Sequence, residues 1–263
     1  MDPTAAFVAL VAPQAGAPPL DEGALLIAAH GRPGLDLAAE LDRLDDLARR
    51  CPDHTVNALR WLLFNEVGVR GDIENYRDPR NSFLDQVLDR GRGIPITLSV
   101  LMIEVGRRIG VELDAVGMPG HFLVRTRQPA LEIWDPFGGG RPLSVDDCRR
   151  MYHTRVGPDA PWSLDLLRPT PSRAVLARML ANLAGSYADL ADTAGRQWVA
   201  DLRAAIPGQS PGEKVRLTEE LTELGRFDLA AEMLEELATD HAVDDLSRTR
   251  LRRRAHALRA RLN

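Results

Sequence analysis

A chain of 263 residues with 44% hydrophobic and 27% charged content has the balance of a soluble globular protein and can bury one large core or two modest ones. The net charge of −5 argues against broad nucleic-acid binding, and no run approaches the roughly 18 apolar residues of a membrane span. Cys51 and Cys148 lie far apart without CxxC spacing, so neither a zinc site nor a disulfide framework is expected, and no cofactor motif stands out.

Residues 1–20 are rich in Ala and Pro and read as a flexible lead. Asp2 stands where a signal peptide would be basic, which points to a cytoplasmic protein. Helical periodicity then takes over. Leu25, Leu26 and Ala29 mark one helix; Leu37, Leu41, Leu44 and Leu47 a second; Leu59, Leu62 and Leu63 a third, with Asp53 as its N-cap. A polar loop at 75–82 leads into a short helix through Phe83, Val87 and Leu88, and Gly91 and Gly93 break the chain before Ile94-Pro95. Next, Leu98, Leu101, Met102, Val105 and Ile109 recur at helical spacing, while Ile96, Val100 and Ile103 add apolar residues elsewhere on the surface. A helix apolar nearly all round is buried, so 94–109 is expected to be the central helix.

After Gly110 the pattern changes to strands. Segments 121–125 and 131–135 flank a turn over 126–130 that contains Pro129. With residue 128 at the centre, Arg125 faces Leu131, Leu123 faces Ile133 and His121 faces Asp135. Opposed residues share a sheet face with Cβ atoms about 4.5–5.5 Å apart, so this register sets the imidazole beside the carboxylate, and a one-residue slip would part them. Ser144 reads as the cap of a helix reaching about Tyr152, and the Pro-rich stretch 158–171 as an interdomain linker. From Ser172 onward the chain reads as helical. Within 219–238, a helix, a turn at 224–228 and a second helix resemble the middle of a tetratricopeptide repeat, with a weaker copy 30 residues earlier. The division expected is a lead at 1–20, an α+β domain at 21–157, a linker at 158–171 and a TPR-like helical domain at 172–263. Segment 248–261 holds seven arginines in fourteen residues and reads as a solvated capping helix, with a surface for an acidic partner as the alternative.

Tyr76, Asp78-Pro79-Arg80-Asn81-Ser82, Gly93-Ile94-Pro95-Ile96-Thr97-Leu98-Ser99, the run Pro119-Gly120-His121-Phe122-Leu123-Val124-Arg125 and Asp135-Pro136-Phe137 together resemble SirB1-like proteins of the transglutaminase-like superfamily. The resemblance implies a mostly helical α+β fold with a transglutaminase/papain-like core, in which a central helix packs on a small antiparallel sheet, and a TPR-like tail. In active members a cysteine heads the central helix, and a histidine and an aspartate follow on adjacent strands. The thiolate attacks an acyl carbon, the imidazole lowers the thiol pKa and shuttles protons, and the carboxylate holds the imidazole tautomer. His121 and Asp135 carry over as a dyad, but the cysteine position falls on Pro95 or its immediate neighbour, and proline has no nucleophile.

Thr97 and Ser99 are candidate hydroxyl substitutes, set against plain roles as a first-turn partner of free N–H groups and a small packing residue. Cys51 and Cys148 are further candidates, set against ordinary packing. Arg80, Asn81, Pro95 and Gly120 are read as lining the same cleft, with bracing of the short helix as the alternative for Arg80 and Asn81. Gly138-Gly139-Gly140 would allow close backbone approach to a ligand, but without the strand–turn–helix setting and lysine of a phosphate loop it reads as a flexible turn. Two functions compete. One is a pseudoenzyme that binds a protein or peptide partner through its TPR-like helices. The other is a hydrolase or acyl transferase using His121 and Asp135 with an unconventional nucleophile.

Overall fold

A computed structural model of the chain describes residues 2–127, 131–240 and 243–262. Asp2 accepts the Thr4 N–H at 3.0 Å and starts α1 (Pro3–Val11), in which Phe7 and Val11, one turn apart, are fully buried. A short 3-10 turn follows at Pro13–Ala15. The lead expected to be flexible is therefore largely helical. Alanine favours helix and proline suits its first position, and the buried Phe7/Val11 face supplies the packing that composition does not reveal.

Two compact units are present, the first built from the start of the chain to Phe7 with Ala17–Met179, the second from Val8–Gly16 with the chain from Leu180 onward. In the first unit α2 (Leu20–Gly31) and α3 (Leu37–Arg49) precede α4 (Val56–Trp61), which runs into a π turn at Leu62–Glu66. The cap of α4 is Thr55, whose Oγ1 accepts the Ala58 N–H at 3.2 Å. Asp53, the expected cap, instead accepts the adjacent His54 N–H. Two-residue strands β1 (Arg70–Gly71) and β2 (Arg92–Gly93) pair in parallel around α5 (Leu84–Arg90), and α6 (Pro95–Arg108) follows at once.

The expected central helix is α6, buried at every residue from Pro95 to Gly106. Its C-terminal end carries Arg107 and Arg108, the sign that suits a helix C-terminus. Arg108 donates to Asp21 Oδ2 at 2.8 Å, Asp45 Oδ1 at 2.5 Å and Glu104 Oε2 at 3.4 Å. Burial pushes the Asp21 carboxyl up, but Arg108 and Arg107 outweigh it and hold it below the ordinary value. Glu104 goes the other way, pushed up by burial and by the charge of Asp21.

An antiparallel sheet in the order β3 (Leu113–Val116), β4 (Leu123–Thr126), β5 (Ile133–Asp135), β6 (Arg141–Leu143) packs against α6 through its first two strands. The β4–β5 register sets Val124 against Trp134 and Arg125 against Ile133. This differs by two residues from the expected register, which set Arg125 against Leu131 and His121 against Asp135. An even offset leaves every side chain on its face, so His121 and Asp135 stay together as a diagonal pair rather than a direct one. The expected turn centre at residue 128 and Pro129 lie outside the described residues.

Ser144 caps α7 (Val145–Val156) through a reciprocal capping box with Asp147, and α7 covers one sheet face, Cys148 and Tyr152 clustering with Leu123, Ile133 and Leu143. The stretch 158–171, expected to be a linker, belongs to the first unit. Leu167 is buried, Thr170 N–H donates to Ala115 O at 2.8 Å, and Thr170 Oγ1 accepts the Gly117 N–H at 2.8 Å. These bonds satisfy the open edge of β3, which an exposed strand would otherwise leave unpaired.

After α8 (Ser172–Asp189), the second unit contains α9 (Thr193–Ala204), α10 (Pro211–Glu223), α11 (Phe227–Leu237) and α12 (Asp245–Arg259). Ser210 and Glu213 form a capping box at the start of α10, and the α10–α11 turn passes through Gly225 at φ +75, a left-handed conformation that favours glycine. Leu217, Leu221, Ala230, Leu234, Ala255 and Leu258 form its core. Among the described residues no helix is long and apolar enough to cross a membrane.

Candidate functional site

His121 enters β4 from a turn that its own N–H closes on Met118 O at 3.0 Å, with Gly120 at φ +77. A Cβ on Gly120 would lie 2.6 Å from Arg155 Cβ, so both the backbone angle and the close approach of Arg155 require glycine. Arg178 of α8 donates to Met118 O at 3.1 Å and His121 O at 3.0 Å and stacks over the Phe122 ring at 5.3 Å. Burial pushes its guanidinium pKa down.

Asp135 ends β5 and is almost fully buried. Its Oδ1 lies 3.0 Å from His121 Nε2 and accepts the Gly138 N–H at 3.0 Å, while Oδ2 accepts Arg141 Nε at 3.3 Å. A Cβ on Gly138 would stand 2.5 Å from that Oδ2, so the glycine run does more than turn the chain. Burial pushes the Asp135 carboxyl up, but the hydrogen bond and charge of His121, the Gly138 N–H and Arg141 together hold it below the usual value. An ionised carboxylate only accepts, so Nε2 donates in this pair and Nδ1 is the ring nitrogen left for another partner. Nδ1 has no hydrogen-bond partner among the described residues.

Phe137 joins this dyad to the head of α6. Its ring stands edge-on to His121 at 6.4 Å and to Tyr76 at 5.9 Å. Gly71 presses on it so closely that a Cβ there would meet the ring at 2.6 Å. Gly71 pairs with Gly93, two residues before Pro95, the first residue of α6. Pro95 fits that position because no helical partner exists for an N–H there.

The remaining candidates are distributed as follows. Ser99 Oγ donates back to Pro95 O at 2.8 Å, and Thr97 Oγ1 is fully buried with no hydrogen-bond partner among the described residues. Asn81 is a buried brace: it donates to Asn75 O at 2.7 Å, accepts from Arg90 at 3.1 Å, and its backbone O takes the Ile94 N–H ahead of α6. Arg80 is exposed and forks onto Asp78. Cys148 sits inside the apolar cluster under α7, and burial with the nearby charge of Asp147 pushes its thiol up to about 11. Cys51 follows α3 and donates to Asp53 O.

His121 opens onto a cavity of about 390 Å³ walled by β6 and α7, lined among others by Arg141, Asp147, Arg150, Met151 and Arg155. Pro95, Thr97 and Ser99 are not among its lining residues. The arginines are the functional candidates that sequence reasoning misses. They come together because β6 leads into α7, and nothing in their spacing signals a shared wall with His121. Among the described residues, no group of three or more His, Cys, Asp or Glu side chains is placed to hold a metal ion.

A helix apolar on all sides, a small antiparallel sheet and a histidine–aspartate pair define the class, and residues 35–181 match the family model described as Transglutaminase-like superfamily. The chain belongs to that superfamily. A UPF0162 protein of Pseudomonas aeruginosa is 32% identical over 193 residues, 70% of this chain and 69% of that protein, which places the chain among the UPF0162 proteins. A UPF0162 protein of Xylella fastidiosa (strain Temecula1) is 43% identical over 136 residues, 50% of this chain and 48% of the relative, so the match spans about half the length of that curated relative. Mouse F-box only protein 21 is 33% identical over 137 residues, which cover 49% of this chain and 21% of that protein. No solved structure matches.

Proposed function

We propose that the chain is a SirB1-like, non-catalytic member of the superfamily, a cytoplasmic pseudoenzyme that binds a protein or peptide partner. The observation that carries this reading is Pro95 at the first position of α6. A prolyl nitrogen is a tertiary amide, so the place of the attacking thiol offers neither a nucleophile nor a proton to transfer. His121 and Asp135 then have nothing to activate. The helix–turn–helix pair α10–α11, with its TPR-like sequence pattern, supports residues 172–263 as the docking region. The match within the longer F-box only protein 21 supports a domain that functions as a module.

A hydrolase or acyl transferase with an unconventional nucleophile draws support from one feature, the unpartnered Thr97 Oγ1. Ser99, with its hydroxyl turned back on Pro95, supports it less. Acyl-donor assays on the purified protein decide between the two. Background turnover is expected before and after iodoacetamide, and equally in a Cys51→Ser, Cys148→Ser double variant. Turnover abolished by alkylation overturns the non-catalytic reading in favour of a displaced thiol. Turnover that survives alkylation and is lost in Thr97→Ala or Ser99→Ala overturns it in favour of a hydroxyl.

A further inference from the structure

We propose that the cavity beside His121 binds the C-terminal carboxylate of a peptide, an inference that rests on the domain being a binding module and names what it binds. Three guanidinium groups line this wall, and they are not equivalent. Arg141 Nε is on Asp135 and Arg150 is paired with Asp147. Arg155 has no carboxylate and no hydrogen-bond acceptor among the described residues. Its stem lies on Gly120, and its exposed head remains available to an anion. His121 lines the same cavity, and its Nδ1 has no hydrogen-bond partner among the described residues.

A ligand that satisfies both groups brings an N–H for Nδ1 and an anion for Arg155. Guanidinium pairs well with planar carboxylate in a two-pronged geometry. The charge count favours a monoanion. Three arginines face Asp147 on the wall and Asp135 behind it, a surplus of about one positive charge. A dianionic phosphate would overfill that surplus, while one carboxylate closes it. A peptide C-terminus carries a carboxylate and an N–H on the same residue, and a cavity of about 390 Å³ falls in the range that holds small ligands. Met151 supplies apolar wall for a side chain.

The test uses the full chain with His121 ring resonances followed by NMR. Four probes are titrated: acetyl-Ala-Ala, acetyl-Ala-Ala-amide, acetyl-Glu-amide and inorganic phosphate. The free acid is expected to give a saturable shift of the His121 ring, with the amide at least tenfold weaker. Arg155→Gln, at an exposed position, is expected to weaken the acid about tenfold, the scale of one lost charge-assisted pair, with an unchanged circular dichroism spectrum. Gly120→Ala, which displaces the Arg155 stem, is expected to weaken it as well, and Arg150→Gln serves as a second exposed variant. Equal binding of acid and amide, tighter binding of phosphate, or Arg155→Gln and Arg150→Gln both indistinguishable from wild type would overturn the proposal. Acetyl-Glu-amide binding as tightly as the free acid would overturn the assignment to a chain terminus. Turnover in the acyl-donor assays would sink the non-catalytic reading while leaving these titrations as they are. Failed titrations would leave the argument from Pro95 untouched.

Discussion

Replacing Asp135 by asparagine and by alanine separates the shape of this carboxylate from its charge. In Asp135→Asn the amide oxygen can take the place of Oδ1 and accept from both His121 Nε2 and Gly138 N–H, each now at 3.0 Å. The NH2 then faces Arg141, whose side chain is 58% exposed and can swing to water. The loss is one partly exposed ion pair and the charge assistance of the His121 bond, about 1–2 kcal/mol. Asp135→Ala leaves His121 Nε2–H and Gly138 N–H without an acceptor. At about 1–3 kcal/mol for each stranded buried donor, the expected loss is roughly 2–6 kcal/mol. Urea unfolding at pH 7, followed by hydrogen exchange at 123–126 and 133–135, measures both and avoids the fluorescence of Trp198 in the second unit. The difference also depends on pH. The folded carboxyl is held below its ordinary value of 3.8, so its contribution is full above that value and is lost as pH falls through the lower folded one. The advantage of wild type over Asp135→Asn is therefore expected to hold at pH 7 and fade below about pH 4. Equal losses in the two variants, or an advantage that persists undiminished well below about pH 4, would refute the account.

Two other perturbations test the framework around the site. Arg108→Met is expected to cost about 3 kcal/mol in urea unfolding, because it strips the nearest guanidinium from the buried Asp21 and the longer of two guanidinium bonds from Glu104; a loss under about 1 kcal/mol would show that Arg107 alone holds the cluster. In folded protein at pH 8, iodoacetamide is expected to label Cys51 and spare Cys148, whose thiol lies in the core and is pushed up to about 11. Mass spectrometry of the digest reads both sites, and fast labelling of Cys148 without urea would contradict its placement.

The central helix was legible because its apolar residues cover all sides, a pattern few other structures produce. The dyad was legible for a weaker reason. Symmetry about residue 128 gave a register two residues away from the one formed, and an even error preserves the face, so His121 and Asp135 met despite it. The helix at 3–11 was missed because Ala and Pro carry no amphipathic signature, and only the burial of Phe7 and Val11 shows which side is inward. The stretch 158–171 was misread because prolines that suit a linker equally suit a segment lying along a strand edge. Asn81 illustrates a different limit: its residue type fits cleft and brace equally well, and three hydrogen bonds decide for the brace. Arg155 gave no signal, since its importance comes from lying over Gly120, thirty-five positions earlier in the chain.

The anchoring of the His121 turn by Arg178 has a consequence for how the molecule is made. The bond from Arg178 to His121 O spans 57 residues and that from Gly117 to Thr170 spans 53. Such non-local closures come late in folding. During synthesis the strands β3 to β6 leave the ribosome well before the segment that fixes them, so the nascent sheet waits with an open edge and an unclamped histidine. A fragment ending at Gly157 would contain the dyad, the sheet and the central helix, and would remain permanently in that waiting state. The smallest piece that completes the site extends through α8.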